Sequence, residues 1–261
     1  MLNSLFKYLK YQKKKLIFLY KYTNKFEYIF LYIITEIKKL ILKKIRNTII
    51  LNIISELKKN YNIHNDWFGY ERKYNVLFSY EVLKKKINVK SFNILEIGSY
   101  EGGWAIYVLN LLKNSNIDVV DTWSKDFSKG TSKDLSKGTL DSEIDFDSVE
   151  NTFDKNLSSF GSRVAKFKGQ FDQFFLKNID KGFIYDLIYV DGSHHYIDVI
   201  NDAKNSWLML KKGGILIFDD FLWDCFGEEG PIMAINEFLE LNKNDIKIHY
   251  LYHQLIIEKK C

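Results

Sequence analysis

The sequence predicts an α/β fold in which a doubly wound, mostly parallel sheet is covered by helices on both faces. From residue 91 onwards, short apolar segments alternate with longer segments that have helical apolar spacing. A glycine-rich turn follows the first short segment and leads into a helical one. Continuous apolar runs such as Asp186–Val190 are typical of strands that are buried on both faces.

Seven segments have the length and composition of strands. The last two lie close enough in sequence to form an antiparallel pair. The expected sheet is therefore seven-stranded and Rossmann-like. The predicted strands are Asn93–Ile97, Asn116–Val120, Val164–Phe167, Asp186–Val190, Ile215–Phe218, Lys247–Tyr252 and Gln254–Glu258.

Three segments in this region have helical apolar spacing. They are Trp104–Leu112, Tyr196–Leu210 and Pro231–Leu239, where Pro231 suits the first turn of a helix. The sequence Lys211–Gly214 predicts the end of the second helix, because cations favour a helix C-terminus and glycine suits a left-handed cap.

Length and composition indicate one domain with an extension. The chain has 261 residues, of which 46% are hydrophobic, so it is long enough to bury a full core. Its two cysteines, Cys225 and Cys261, are too few and too far apart for a disulfide framework or a metal-ligand motif. A reducing, cytoplasmic location is the simplest interpretation.

Charge divides the chain into a basic extension, residues 1–60, and an acidic domain, residues 61–261. The extension has a net charge of +11 and the domain of −6. No window is long and uncharged enough for a membrane span. The extension is expected to form basic amphipathic helices. They either lie on an anionic membrane surface or pack on the domain or a second subunit. No recognised nucleic-acid motif accompanies the charge, so specific nucleic-acid binding is not expected.

A tandem eight-residue duplication occupies Ser124–Thr139. It has no apolar face worth burying, so it predicts a surface loop. Because it follows a strand on the ligand-binding side, a role as a lid is a second interpretation.

A candidate cofactor loop follows the first strand. It has the pattern Glu96-x-Gly98-x-Tyr100-x-Gly102 and precedes a helix, whose exposed N–H groups can bind an anionic group. Gly98 allows a tight turn and close approach of a ligand, and Glu96 could pair with a ligand amine. Asp121, which ends the next strand, suits ribose hydroxyls. A dinucleotide fingerprint would have glycine in place of Tyr100, which argues against a nicotinamide cofactor.

These motifs together resemble class I S-adenosylmethionine-dependent methyltransferases, and most closely the family called methyltransferase domain 24. The resemblance covers roughly residues 61–260. Its matching segments are Asp66–Phe68, Leu95–Gly102, Val120–Trp123, Asp186–His194, Trp207–Asp220 and Ile235–Phe238.

The resemblance implies a site for S-adenosylmethionine. Its methionine part would meet Glu96, Gly98, Ser99, Tyr100, Glu101 and Gly102. The ribose would meet Asp121, and the adenine would lie near Trp123 and Gln170.

Acidic residues end the fourth and fifth predicted strands. Adjacent strands lie about 4.8 Å apart, so Asp191, Asp219 and Asp220 are expected to converge on a divalent cation such as Mg²⁺. This arrangement resembles metal-dependent sugar and macrolide O-methyltransferases and the cephalosporin hydroxylase-like proteins. His194 follows Asp191 where the macrolide pattern differs. A general base is therefore the alternative, because imidazoles change protonation near neutral pH. The expected catalytic residues are Asp191, His194 and Asp220.

The sequence predicts an enzyme that methylates a hydroxyl group of a sugar, a glycan or a small hydroxylated metabolite. Two alternatives stay open at this point: a non-catalytic binding or scaffold protein with the same fold, and a hydroxylase-like metal enzyme. The expected partners are the small-molecule or glycan acceptor, a membrane surface at residues 1–60 and a second copy of the chain.

Overall fold

The structure is a computed structural model that describes residues 2–64, 73–87, 91–124, 144–223 and 230–261. The segment Asp66–Phe68, residues 125–139 of the duplication and Cys225 lie outside these described residues. Within the described part, strands and helices enclose one continuous hydrophobic core.

The strands form one seven-stranded sheet. They are β1 (Asn93–Ile97), β2 (Asn116–Asp121), β3 (Val164–Lys168), β4 (Tyr185–Val190), β5 (Leu210–Phe218), β6 (Ile246–Leu251) and β7 (Leu255–Lys259). Their order is β3-β2-β1-β4-β5-β7-β6. The first five strands pair in parallel, whereas β7 is antiparallel to β5 and β6. The predicted fold class is confirmed.

The strand order reverses between β1 and β4. In open α/β sheets, ligands bind beyond the carboxyl ends of the strands at such a switch point. Ile97 and Val190 end these two strands side by side, and both are buried. The loops that follow them therefore form the walls of one crevice.

Eight α-helices accompany the sheet within the described residues. They are α1 (Leu2–Thr23), α2 (Phe26–Asn60), α3 (Lys73–Leu83), α4 (Gly103–Leu111), α5 (Phe146–Leu157), α6 (Phe171–Asn178), α7 (Tyr196–Met209) and α8 (Pro231–Leu241). The three predicted helices of the sheet region are confirmed within two residues at each end. Pro231 is in the first turn of α8, where its missing N–H costs no hydrogen bond.

The end of α7 differs from the prediction. Leu210 has an extended backbone, with φ −81° and ψ 128°, and β5 begins there. The pairing of β5 with β4 moves from Tyr185–Leu210 to Leu187–Ile215, so extra residues of β5 bulge out between these pairs. Gly213 has a φ of 74°. The expected left-handed helix cap is therefore wrong, because Lys211–Gly214 belongs to an irregular stretch of strand.

Residues 2–60 form a helical hairpin that packs on the sheet domain. Leu19, Tyr32 and Ile54 are buried in the same core cluster as the strands. The buried ammonium of Lys15 donates to the carbonyl of Leu222 at 2.7 Å. The predicted helical character is confirmed, and the interpretation as helices packed on the domain agrees with these contacts. No helix in the described ranges is long and apolar enough to cross a membrane.

Candidate active site

The loop after β1 turns sharply at Gly98, which has a φ of 79°. A Cβ atom at this position would lie 2.0 Å from the carbonyl oxygen of Asp191. Gly98 was expected to let a ligand approach the backbone. In the structure the backbone that follows β4 approaches Gly98 closely, and the approach of a ligand stays a prediction. Glycine at this position thus lets the candidate cofactor loop pack against the carboxyl end of β4.

Asp121 ties the cofactor loop to the end of β2. Its Oδ2 atom accepts hydrogen bonds from the amides of Ser99 at 2.7 Å and Tyr100 at 2.9 Å. Its Oδ1 atom accepts from the amide of Trp123 at 2.8 Å. The residue expected to contact the ribose therefore also fixes the shape of the loop expected to contact the methionine part.

Trp123 closes one side of this loop. The indole N–H of Trp123 donates to the carbonyl of Tyr100 at 2.9 Å, and the ring packs on Phe153 with centroids 4.8 Å apart. Trp123 is only 2% exposed. Tyr100 and Trp123 both have positive φ, at 54° and 41°. Such strained backbone in residues other than glycine concentrates at functional sites.

Gln170 lies at the same edge of the sheet. The amide of Gly169 donates to the carbonyl of Asp121 at 2.9 Å, so the turn after β3 is adjacent to the end of β2. Gln170 precedes α6 and is exposed. It makes no side-chain capping bond to α6, and its place beside the adenine stays a prediction.

Glu96 is buried beneath the loop rather than exposed to a ligand. It is 1% exposed, and its Oε2 atom accepts a hydrogen bond from the Ser99 hydroxyl at 2.7 Å. Burial raises the pKa of Glu96 to about 8, and the charge of nearby Asp121 acts in the same direction. The hydrogen bond from Ser99 opposes this rise.

The raised pKa of Glu96 predicts a pH-dependent stability. A carboxyl group whose folded pKa exceeds its ordinary value of 4.5 favours the folded state less as pH rises. Stability should fall between pH 4.5 and about 8, by at most about 4 kcal/mol. Glu96→Gln removes this titration. Denaturant unfolding at several pH values should show a flatter profile for Glu96→Gln than for the unaltered protein.

The exposed carboxyl of Glu27 provides the control for this measurement. Glu27→Gln should keep the pH dependence of the unaltered protein. Identical pH profiles for Glu96→Gln and the unaltered protein would show that the Glu96 carboxyl does not carry the effect.

The sequence did not reveal a clamp between the cofactor loop and the segment after α2. Glu101, which is 5% exposed, accepts from the backbone amide of His64 and lies against its Nδ1, both at 2.8 Å. The Asn156 amide donates to the carbonyls of Asn62 and Glu101. No sequence motif predicts the contact between His64 and Glu101, because the two residues lie 37 positions apart in the chain.

An open cavity of about 330 Å³ lies beside this clamp and the cofactor loop. It adjoins the N-terminal end of α5. Its lining includes His64, Tyr100, Glu101, Asp145, Ser148 and Thr152. This position, next to the loop expected to hold the methyl donor, makes the cavity a candidate binding space.

Asp191, His194 and Asp220 form a cluster beyond the ends of β4 and β5. The His194 Nε2 atom lies 3.1 Å from Asp220 Oδ2 and 3.9 Å from Asp191 Oδ1. One donor atom from each residue fits within 4.8 Å of the others, a spacing suited to a metal ion. The cluster adjoins the cofactor loop, because Gly98 packs on the backbone of Asp191.

Asp219 turns away from this cluster. Its carboxylate accepts hydrogen bonds from the Tyr189 hydroxyl at 2.5 Å and the Asn75 amide at 3.2 Å. It also accepts from the backbone amide of Asp220. The expected ligand set of Asp191, Asp219 and Asp220 is thus not what the structure brings together, since His194 takes the place of Asp219.

Trp223 covers the cluster from one side. Its ring meets the His194 imidazole edge to face, with centroids 4.2 Å apart. The Trp223 amide donates to the carbonyl of Asp220, whose φ is 52°. His195 directly precedes α7, and its side chain makes no capping hydrogen bond to that helix. Of the two adjacent histidines, His194 is the one that lies in the cluster.

Comparison with known proteins adds a family match to this geometry. Residues 95–221 match a family model described as a methyltransferase domain. An uncharacterized protein of Acanthamoeba polyphaga mimivirus is 27% identical over 127 residues, which are 49% of this chain and 50% of that protein. The chain thus spans about half the length of this curated relative.

Solved structures with the same fold have low sequence identity to this chain. MycE methyltransferase from the mycinamycin biosynthetic pathway, in complex with Mg and SAH, is 16% identical at a TM-score of 0.53, covering 79% of this chain and 54% of that one. An O-methyltransferase from Bacillus cereus in complex with SAH is 13% identical, with a TM-score of 0.52. The match covers 80% of this chain and 91% of that chain. A calicheamicin methyltransferase is 17% identical, with a TM-score of 0.50. The match covers 81% of this chain and 91% of that chain.

Proposed function

Because this chain carries a class I S-adenosylmethionine-dependent methyltransferase domain, we propose that it methylates a hydroxyl oxygen of a sugar, a glycan or a small hydroxylated metabolite. The observation that carries this proposal is the Asp191–His194–Asp220 cluster, which adjoins the cofactor loop at Gly98. A group that activates a hydroxyl is thereby placed beside the expected methyl donor.

The cofactor loop suits S-adenosylmethionine. Glycine at position 98 and the positive φ of Tyr100 curve the loop, and the start of α4 at Gly103 lies directly behind it. In this proposal the backbone of Ser99–Gly102 holds the methionine part, while Asp121 and Gln170 lie on the nucleoside side. When bound, the cofactor supplies a methyl group on a positively charged sulfur, which an oxygen nucleophile can attack in line.

The cluster also suits a divalent cation. Two carboxylates and one imidazole are ligands for Mg²⁺ or Mn²⁺, with the imidazole favouring the softer of the two ions. Asp191, His194 and Asp220 would hold the ion. It would supply charge that lowers the pKa of a bound hydroxyl group. The relative MycE was solved in complex with Mg, which supports the same interpretation here.

The side chains of the cluster have definite tasks in this reaction. Asp220 holds the His194 imidazole in position through their 3.1 Å contact. Trp223 shields the ring from water on one side. With the cofactor bound, the acceptor oxygen would bond to the methyl carbon as the carbon–sulfur bond breaks, leaving the electron pair on sulfur. The hydroxyl proton leaves to the cluster, where His194 is the accepting base if no cation is bound.

The experiment is a mass-spectrometric screen of hydroxylated acceptors with isotopically labelled S-adenosylmethionine. The expected product carries one labelled methyl group on oxygen. Treatment with a chelator and re-addition of Mg²⁺ or Mn²⁺ separates the two roles of the cluster. Activity lost and regained indicates a cation, whereas unchanged activity indicates a histidine base.

Other outcomes would contradict the proposal. Absence of cofactor binding by calorimetry would favour a scaffold protein that keeps the fold. A product that gains oxygen instead of a methyl group would favour a hydroxylase. A methyl group found on nitrogen or carbon would contradict the proposed acceptor class.

A further inference from the structure

Helix α2 carries a long apolar stripe on its outer face. Phe26 is 74% exposed, and Phe30 and Leu40 are 64% and 62% exposed. Most successive members are three or four residues apart, and Leu40 and Ile41 are adjacent, so the set lies on one side of the helix. The stripe, from Phe26 to Ile45, spans roughly 29 Å at the usual helical rise. It is formed by Phe26, Phe30, Ile33, Ile37, Leu40, Ile41 and Ile45.

The opposite face of α2 already provides the contacts that hold the helix on the domain. Tyr28, Tyr32, Ile50 and Ile54 are at most 4% exposed. The outer stripe is therefore additional to the packing face. Contiguous apolar surface of this extent is uncommon on monomeric proteins and marks an interaction site.

The stripe continues onto α1 at the tip of the hairpin. The rings of Tyr20 and Phe26 pack with centroids 4.8 Å apart, and both residues are exposed. Ile17, one turn earlier on α1, is 57% exposed. The apolar surface thus includes both helices at their junction.

Basic side chains accompany this surface. Residues 1–60 have a net charge of +11, and the described side chains of the hairpin include few exposed acids. Glu36 is instead paired with Lys39 within the hairpin. The exposed lysines include Lys10, Lys13, Lys14, Lys38, Lys43 and Lys44.

We propose that the α1–α2 hairpin docks on an anionic lipid bilayer, with the stripe of α2 inserted among the headgroups. An apolar face combined with lysines fits an interfacial helix. The acidic domain, with a net charge of −6, would be repelled by the same surface. The charge difference therefore orients the molecule with the hairpin towards the lipid.

Charge argues against a second copy of the chain as the occupant. A two-fold interface between stripes would bring one hairpin of charge +11 against another. Like charges at such an interface oppose association. An anionic bilayer supplies both the apolar medium and the opposite charge.

Co-sedimentation of the full chain with vesicles tests this inference. We expect binding to vesicles that mix phosphatidylserine with phosphatidylcholine, weaker binding to phosphatidylcholine alone, and a decrease with added salt. The double variant Phe30→Glu/Ile37→Glu should lower the partition coefficient by about tenfold or more. Equal binding of this variant and the unaltered protein would overturn the proposal.

The matched control places the same charges on exposed apolar residues of the domain. Leu176 and Ile197 are 71% and 64% exposed on α6 and α7. Leu176→Glu/Ile197→Glu should bind vesicles like the unaltered protein. A comparable loss in this control would mean that added charge alone causes the effect, which would overturn the proposal.

Light scattering after gel filtration tests whether a second copy of the chain binds the stripe. We expect the same molar mass for the unaltered protein and Phe30→Glu/Ile37→Glu in the absence of lipid. A dimer that dissociates in this variant would assign the stripe to a second copy and overturn the proposal. Far-ultraviolet circular dichroism confirms that each variant is folded.

Discussion

Replacing Asp220 by Asn is expected to lower kcat by about 10²–10³-fold while leaving the affinity for S-adenosylmethionine nearly unchanged. Asparagine keeps the size of the side chain but removes the negative charge that faces His194 at 3.1 Å. The cluster then loses a metal ligand or the group that orients the base. The cofactor contacts expected at the β1 loop stay in place. Steady-state kinetics and calorimetry measure the two effects separately.

Asp219 supplies a matched control, because it is the adjacent acid and is equally buried. Its carboxylate faces Tyr189 and Asn75 rather than the cluster. Asp219→Asn should lower the free energy of unfolding by about 1–3 kcal/mol, since it weakens buried hydrogen bonds. Its kcat should change far less than that of Asp220→Asn. The reverse ranking would contradict the assignment of the cluster.

Replacing Gly98 by Ala is expected to abolish measurable cofactor binding and to lower the free energy of unfolding by about 3 kcal/mol or more. The added Cβ would lie 2.0 Å from the carbonyl oxygen of Asp191, so one of the two loops must move. The positive φ adds strain to this clash. Calorimetric titration with the cofactor and denaturant unfolding check the two effects.

Gly161 separates the clash from the backbone strain. It also has a positive φ, 56°, but an added Cβ would meet nothing within 4 Å. Gly161→Ala should cost about 1–3 kcal/mol, because the backbone at φ 56° and ψ −130° is strained for other residues, and should leave cofactor binding unchanged. If Gly98→Ala behaves like Gly161→Ala, the close approach of the two loops is not what position 98 requires.

The central part of the sheet could be predicted because strands such as β1 and β4 are buried on both faces. In the sequence such strands are short apolar runs. Leu187–Val190 is an example in which every residue is buried. The irregular start of β5 could not be predicted in this way. Lys211–Gly214 has the composition of a helix end, and only its pairing with β4 places it in a strand.

The difference between the expected ligands and the observed cluster has a physical explanation in the turn that follows β5. β5 ends at Phe218 and Asp220 has a φ of 52°, so these adjacent acids lie on a turn, and their side chains have different partners. Only one of the two acids, Asp220, therefore contributes to the cluster. Asp219 is hydrogen-bonded by Tyr189 and Asn75, so the choice between the two acids depends on the packing of β4 and α3.

The sequence by itself determined the fold class, the position of the cofactor loop and the edge of the sheet at which catalysis is expected. These properties follow from local patterns: apolar period, glycine spacing and acids at strand ends. Tertiary structure alone decided that His194 joins Asp191 and Asp220, that Gly98 packs on the Asp191 backbone and that Glu101 holds His64. Each of these contacts joins residues on separate elements. Their distances depend on how the elements pack, which no local pattern encodes.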